Sequence, residues 1–257
     1  MAALNKDTPV VTSDTIKRLV KDVKDIMKNP LTDNGIYYTH DETNMLKGYA
    51  MIIGPPDTPY VGGYYFFKFD FPHDYPFRPP TVTYNTNDGI TRFNPNLYRS
   101  GKVCVSILNT WKGPQWTSCQ SITSVLLCIC GSVLNSKPLL NEPGITETHR
   151  DYEKYHEIVR YKNFDIAINN MLTSKYIQVT FTQLYMEMVQ HFLEHFDEIN
   201  KNITKAQSET KYEKKELHIG LYKMHAMIDY EFTMKKLANT YSQLKNWIKK
   251  KSLYINS

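Results

Sequence analysis

The sequence predicts an α+β fold. Three observations predict it. An amphipathic helical segment opens the chain, four strand-like runs follow it as a meander, and the long remainder has helical spacing with few breaks. A meander of strands after a single helix fits this class rather than a doubly wound one.

The opening helix is read from SDTIKRLVKDVKDIMKNP. Ile16, Leu19, Val20, Val23, Ile26 and Met27 recur at three- and four-residue steps. Ser13 is a good N-cap and Pro30 a stop signal. The other face carries Lys17, Arg18, Lys21 and Lys24. Two strands are expected in GIYYTH and LKGYAMIIG, on either side of a polar turn at Asp41 to Asn44. PPDTPYVGG is dense in Pro and Gly and reads as a loop. YYFFKFDF suits a third strand, and TVTYN a short fourth one. PHDYPFRPP between them cannot be a central strand, because proline lacks the ladder donor.

The region around Cys104 has no clear helix or strand period. After TWKGPQW, residues Ser121 to Leu134 read as an apolar helix through Ile122, Val125, Leu126, Ile129 and Val133, capped by Ser121 or Thr117. NSKPLLNEPG is a loop. From about Arg150 the chain reads as helical. One stripe joins Ile177, Phe181, Leu184, Met188, Phe192, Phe196, Ile199 and Ile203; a second joins Tyr230, Met234, Leu237, Tyr241, Leu244 and Ile248. Gly220 weakens that stretch locally. Two such helices are expected to form a hairpin packed on the preceding domain, because they would be marginal alone in water.

The 257 residues suffice for one large domain, or one domain plus an extension. Apolar residues make up 41%, which argues against disorder over the whole length. The formal charge of +5 is uneven: residues 201–257 carry 12 lysines and 5 acids, a net of +7. That tail reads as a solvated helix face or as a basic surface for an acidic partner. Binding of nucleic acid is not expected, since no aromatic-basic recognition motif accompanies the lysines. No long apolar core occurs in MAALNKDTPVV, so no signal peptide is expected, and no run of 18 apolar residues suggests a membrane span. Four cysteines in a chain of this length are expected to be reduced thiols in cytoplasm or nucleus. Cys128-x-Cys130 lacks a second ligand pair, so no metal site is expected.

Cys104 follows the tight polar loop of NPNLYRSGKVCVSIL. A reactive cysteine is usually activated by a histidine, a helix N-terminus or a cation. Nearby in sequence are only Arg99 and Lys102, with no histidine between His73 and His149. On chemistry alone, a buried packing role and a nucleophilic role both stay open.

The ordered set of motifs narrows the choice. GPPDTPYVGGYYFFKFDFPHDYPFRPPTV, RFNPNLYRSGKVCVSIL and the WTSCQSITSVL that follows resemble the ubiquitin-conjugating enzyme family over roughly residues 12–172. Within that family the chain is most similar to a branch in which the usual His-Pro-Asn triplet reads Asn-Pro-Asn. The resemblance implies the family's α+β fold, a catalytic domain over 12–172 and a helical, lysine-rich extension over 173–257. The extension is expected to select partners rather than perform chemistry.

The implied activity is acceptance of ubiquitin, or a ubiquitin-like modifier, from an activating enzyme as a thioester on Cys104, then transfer to a substrate lysine or to a ligase. The acyl group arrives already activated, so a strong local base is less necessary than in a protease. By resemblance Asn96 stabilises the oxyanion formed when lysine attacks, and Pro95 stiffens the turn. Asn94 replaces a histidine that looks structural in the family. Glu142 of LNEPG matches the acidic residue that orients the incoming lysine. Lys17, Arg18, Lys21 and Lys24 match the face that meets the activating enzyme. Phe77 and the region of Trp116 match the surface that docks ligases, although Thr117, Ser118 and Cys119 depart from the usual Ser-Pro-Ala there. No cofactor is implied; ATP is used by the activating enzyme. A non-catalytic ubiquitin-binding scaffold of the same fold is the alternative, disfavoured because such variants lack the cysteine.

Overall fold

The computed structural model describes residues 10–210 and 213–255. Residues 1–9, on which the expectation of no signal peptide largely rests, lie outside the described residues, as does Lys211. Among the described residues, no helix is long and apolar enough to cross a membrane.

The first helix, α1, spans Ser13–Lys28. Its cap is Thr12 rather than Ser13: the Thr12 hydroxyl accepts from the Thr15 N–H at 3.1 Å. Leu19 and Ile26 of the expected stripe enter the core, whereas Ile16, Val20 and Met27 stay exposed. The buried face instead passes through two polar residues that find internal partners. Thr15 donates to the His73 carbonyl at 2.8 Å. Asp22 accepts from the Tyr75 hydroxyl and, at 2.8 Å, from Arg18 Nε. A buried carboxylate is tolerable because both donors reach it.

The strands β1 (Ile36–His40), β2 (Lys47–Ile53), β3 (Tyr64–Asp70) and β4 (Thr81–Tyr84) fall where the sequence places them. They form an antiparallel sheet in the order β1-β2-β3-β4. The β1–β2 turn is tied by Asp41, whose Oδ1 accepts from the backbone N–H of Thr43 and Asn44, each at 2.9 Å. On one sheet face Tyr65, Phe67 and Phe69 are fully buried. There the Tyr65 hydroxyl donates to Asn163 Oδ1 at 2.7 Å, and Asn163 Nδ2 donates to the Val61 carbonyl at 2.9 Å. A Cβ at Gly63 would lie 1.9 Å from Asn163 Oδ1, so only glycine permits this approach.

Helix α2 (Ile122–Cys128) carries the capping box that Ser121 and Ser124 form, then widens into π-type turns over Ile129–Val133. Helix α3 (Tyr152–Lys162) likewise continues as a π-type stretch, Asn163–Asn170, and a last turn, Met171–Thr173. Ser174 then caps α4 (Lys175–Thr180), which leads into α5 (Thr182–Glu194) and α6 (Phe196–Ser208).

From Arg150 the chain departs from the expected pair of helices in two ways: the first stripe is divided among α4, α5 and α6, and a hairpin of strands precedes the helix of the second. Residues 215–228 form a β-hairpin, β5 (Lys215–Ile219) paired antiparallel with β6 (Met224–Ile228), ahead of the long helix α7 (Tyr230–Ile255). The reason is a period of two: Leu217, Ile219, Met224, Ala226 and Ile228 are buried, and His218, His225 and Met227 between them on the strands face solvent. Gly220 marks the turn of this hairpin rather than a weak point in a helix.

The helices after residue 174 cover the second face of the sheet, which in an antiparallel meander is commonly solvated. Phe181 lies with its ring 5.0 Å from Phe66 and 5.4 Å from Tyr49. The Tyr64 hydroxyl meets His191 Nδ1 at 3.0 Å. Burial and the stacked His195 ring push the His191 imidazole down to about 4, so it stays neutral there at pH 7. This second contact layer explains why Tyr64, Tyr65, Phe66 and Phe67 are all buried in succession instead of alternating.

Phe181→Ala is expected to lower the unfolding free energy by about 3–5 kcal/mol, measured by urea denaturation. A loss below about 1 kcal/mol would mean that the ring is not packed on the sheet in solution.

Candidate active site

The site begins at the end of α2. A helix leaves its last carbonyls without intrahelical partners, and here asparagine side chains supply them. Asn94 Nδ2 donates to the Val133 carbonyl at 2.7 Å. Asn141 Nδ2 and Asn135 Nδ2 donate to the Ser132 carbonyl at 2.9 and 2.7 Å. Asn94 also shapes its own turn, accepting from the Asn96 N–H through Oδ1 at 2.8 Å. Asn94 is fully buried, so its amide fills the structural place that the resemblance assigns to histidine.

After β4 the chain crosses back through Gly101, at φ +88°, where a Cβ would lie 2.9 Å from Thr83 Cγ2 and 3.0 Å from the Tyr84 carbonyl. An isolated bridge between Leu97 and Val103 then aligns the two limbs of the loop. This brings Asn96 and Cys104 together. The Cys104 N–H donates to the Asn96 carbonyl at 2.9 Å, and Asn96 Nδ2 donates to the Cys104 carbonyl at 2.6 Å. Asn141 Nδ2 completes the set by donating to Asn96 Oδ1 at 2.8 Å. The Asn96 amide is thus fixed from both ends, with one N–H spent on Cys104 and a second remaining on the same nitrogen.

Cys104 is a free thiol with 2% of its surface exposed. Among the described residues no side chain hydrogen-bonds its sulfur. The other thiols are less suited. Burial raises the Cys128 and Cys130 thiols, which disfavours their thiolates, and Cys119 sits on an exposed loop.

Glu142 follows Asn141, whose amide donates to Asn96 Oδ1, in the same loop. The Glu142 carboxylate accepts a hydrogen bond from the hydroxyl of Tyr222, on the β5–β6 turn. Asn141 and Tyr222 are the residues that reading the sequence missed. The first adjoins a residue singled out there. The second lies 80 positions away from its partner and carries no local signal.

The expected partner surfaces divide. Lys17, Lys21 and Lys24 are exposed on α1, and Phe77 is 73% exposed. Arg18 is not available in the same way: it turns inward, with Nε on Asp22 and its terminal nitrogens on the Ser118 and Gln120 carbonyls. Trp116 is also inward, 8% exposed, with Nε1 donating to the Pro76 carbonyl at 2.7 Å. Both corrections have one cause. The two side chains hold the loop over 116–120 against α1 and the Pro76 turn, so they shape the surface around Phe77 without presenting themselves on it.

Comparison with known proteins agrees with this geometry. A family model described as "Ubiquitin-conjugating enzyme" matches residues 18–163. The chain is 40% identical over 195 residues to "Ubiquitin-conjugating enzyme E2 Z" of Danio rerio, covering 74% of this chain and 58% of that one. It is 42% identical over 161 residues to the protein of that name from Homo sapiens, covering 62% and 45% respectively. Against "Probable ubiquitin-conjugating enzyme protein 17" of Caenorhabditis elegans it is 35% identical over 192 residues, covering 72% of this chain and 25% of that one. The chain thus spans about half the length of the E2 Z proteins it matches. With its cysteine and asparagine turn inside the matched span, the chain belongs to the ubiquitin-conjugating enzyme family.

Proposed function

We propose that the chain carries ubiquitin, or a ubiquitin-like protein, as a thioester on Cys104 and passes it to an amine. In the loading step the Cys104 thiolate attacks the thioester carbonyl on an activating enzyme. A new C–S bond forms, the old one breaks, and the departing thiolate takes up a proton. In the transfer step a substrate lysine, or a ligase, attacks the Cys104 thioester. The tetrahedral oxyanion collapses, the C–S bond breaks and Cys104 regains its thiol; with lysine, the amine's proton is lost on the way to the amide. Both steps exchange acyl groups without redox change, so the chain itself uses no cofactor. We place the reaction in cytoplasm or nucleus, where thiols stay reduced.

The observation that carries this reading is the side-chain amide of Asn96, held 2.6 Å from the Cys104 carbonyl and anchored on its other side by Asn141. A preoriented amide beside the acyl-bearing residue is what a developing oxyanion requires. The Glu142 carboxylate is proposed to orient the lysine and accept its proton. Exposed Lys17, Lys21 and Lys24 are proposed to meet an activating enzyme, and Phe77 a ligase.

A thiol-sensitive adduct is expected when the protein is incubated with ATP, an activating enzyme and modifier, followed on non-reducing gels. It should vanish in Cys104→Ala and resist reducing agents in Cys104→Ser. An adduct that survives in Cys104→Ala overturns the assignment. Asn96→Ala should still load but discharge to free lysine about 10²–10³ times more slowly; discharge at the wild-type rate would leave Asn96 as a turn residue. Glu142→Ala should be slow near neutral pH, with a defect that shrinks as pH rises. A lysine amine has a pKa of about 10.4, so rising pH supplies more neutral amine and less proton removal is needed. A pH-independent defect would assign Glu142 to positioning alone.

A further inference from the structure

We infer that Tyr222, at the tip of the β5–β6 hairpin, is a positioning residue for amine attack: its hydroxyl holds the Glu142 carboxylate in the orientation that receives the incoming lysine. The inference rests on the function proposed above and brings the C-terminal extension into the transfer step.

The local geometry is built for this contact. Tyr222 and Lys223 have φ of +56° and +49°, in the left-handed region that bulky side chains seldom adopt. Consecutive residues of this kind persist where their surroundings over-determine them, and three contacts do so here. Arg99 Nη2 donates to the Tyr222 carbonyl at 2.5 Å. The Leu221 N–H donates to Asp151 Oδ2 at 2.9 Å, fixing the turn to the start of α3. The Arg92 guanidinium lies 4.9 Å from the centre of the Tyr222 ring.

Arg92 is also the link to the catalytic loop. Its Nε donates to the Asn94 carbonyl at 3.2 Å and its Nη2 to the Pro95 carbonyl at 2.6 Å. The same guanidinium lies 3.6 Å from the centre of the Tyr98 ring. One cation therefore grips the Asn94–Asn96 turn and the ring that delivers the hydroxyl to Glu142. Tyr222 hydrogen-bonds Glu142, and Glu142's chain neighbour Asn141 donates to Asn96, which in turn donates to the Cys104 carbonyl. Burial and the neighbouring carboxylate raise the phenol, so Tyr222 remains a donor throughout the working pH range. Among the described residues the Glu142 side chain makes no other hydrogen bond, which leaves Oε1 for an amine.

A tyrosine that merely docked the hairpin would owe its effect to the ring. The test therefore removes the hydroxyl and keeps the ring. The full chain, as wild type, Tyr222→Phe, Glu142→Ala and the double variant, is charged with ubiquitin by its activating enzyme. Discharge to free lysine is then measured per mole of charged protein from about pH 6.5 to 9. Tyr222→Phe is expected to slow discharge about 3–10-fold near pH 7, the worth of one well-placed hydrogen bond. Its defect should shrink with rising pH in parallel with that of Glu142→Ala. In the Glu142→Ala background Tyr222→Phe should add less than about twofold, because the group it positions is gone.

Slow discharge in Glu142→Ala with a wild-type rate in Tyr222→Phe overturns this inference alone. So does a Tyr222→Phe defect of equal size in both backgrounds, which would mark a general structural effect. Wild-type discharge in both single variants overturns the role of Glu142 and the inference with it. A wild-type chain that forms no thioester on Cys104 overturns the proposed function beneath both.

Discussion

The structure turns on how the end of one helix is satisfied. Helix α2 stops in π-type turns and leaves the Ser132 and Val133 carbonyls in need of donors, that of Val133 buried. Asn94 and Asn141 provide them, and the same amides fix the Asn96 turn. Leaving one such buried group unpaired costs about 1–3 kcal/mol. The helix terminus, the asparagine turn and the loop before Glu142 therefore cannot move independently, and the Asn96–Cys104 contact inherits their rigidity. A histidine is not needed for this task; an amide that both donates and accepts performs it.

That rigidity fits the thioester transfer proposed above, which needs orientation more than a base. A thioester is already activated, so attack on it requires a placed nucleophile, a placed amide donor and a route for one proton. Asn96 places an amide beside Cys104, and among the described residues no side chain hydrogen-bonds the thiol.

The extension is less separate than its position at the end of the chain suggests. Its first helices seat Phe181 on the outer face of the sheet, so that sheet is buried on both sides. Its hairpin then reaches back to Arg92, Arg99 and Glu142. That contact ties residues 173–257 to the candidate site as well as to the sheet. One segment thus supports the sheet at one end and touches the Glu142 carboxylate at the other.

Much of this was legible in the sequence, for reasons of local chemistry. The four strands were marked by aromatic and β-branched runs between turn residues, and α2 by Ser121 and an apolar period, because these signals act within a few residues. Cys104 and Asn96 stood out because a spacing of eight residues survives in the chain itself. Other features were decided only by the tertiary structure. The exposure of Ile16, Val20 and Met27 depended on Asp22 finding Tyr75 and Arg18. The inward turn of Trp116 depended on the Pro76 carbonyl. The hairpin over 215–228 carried a period of two, but five buried positions inside a long helical context were too few to announce it. The bond from Tyr222 to Glu142 joins residues that no local pattern connects, since proximity across 80 positions is a property of packing. The sequence by itself determined the four strands, the first helices and the candidate pair Asn96 and Cys104, whose signals are short-range. The folded chain alone decided which side chains hold that pair in place.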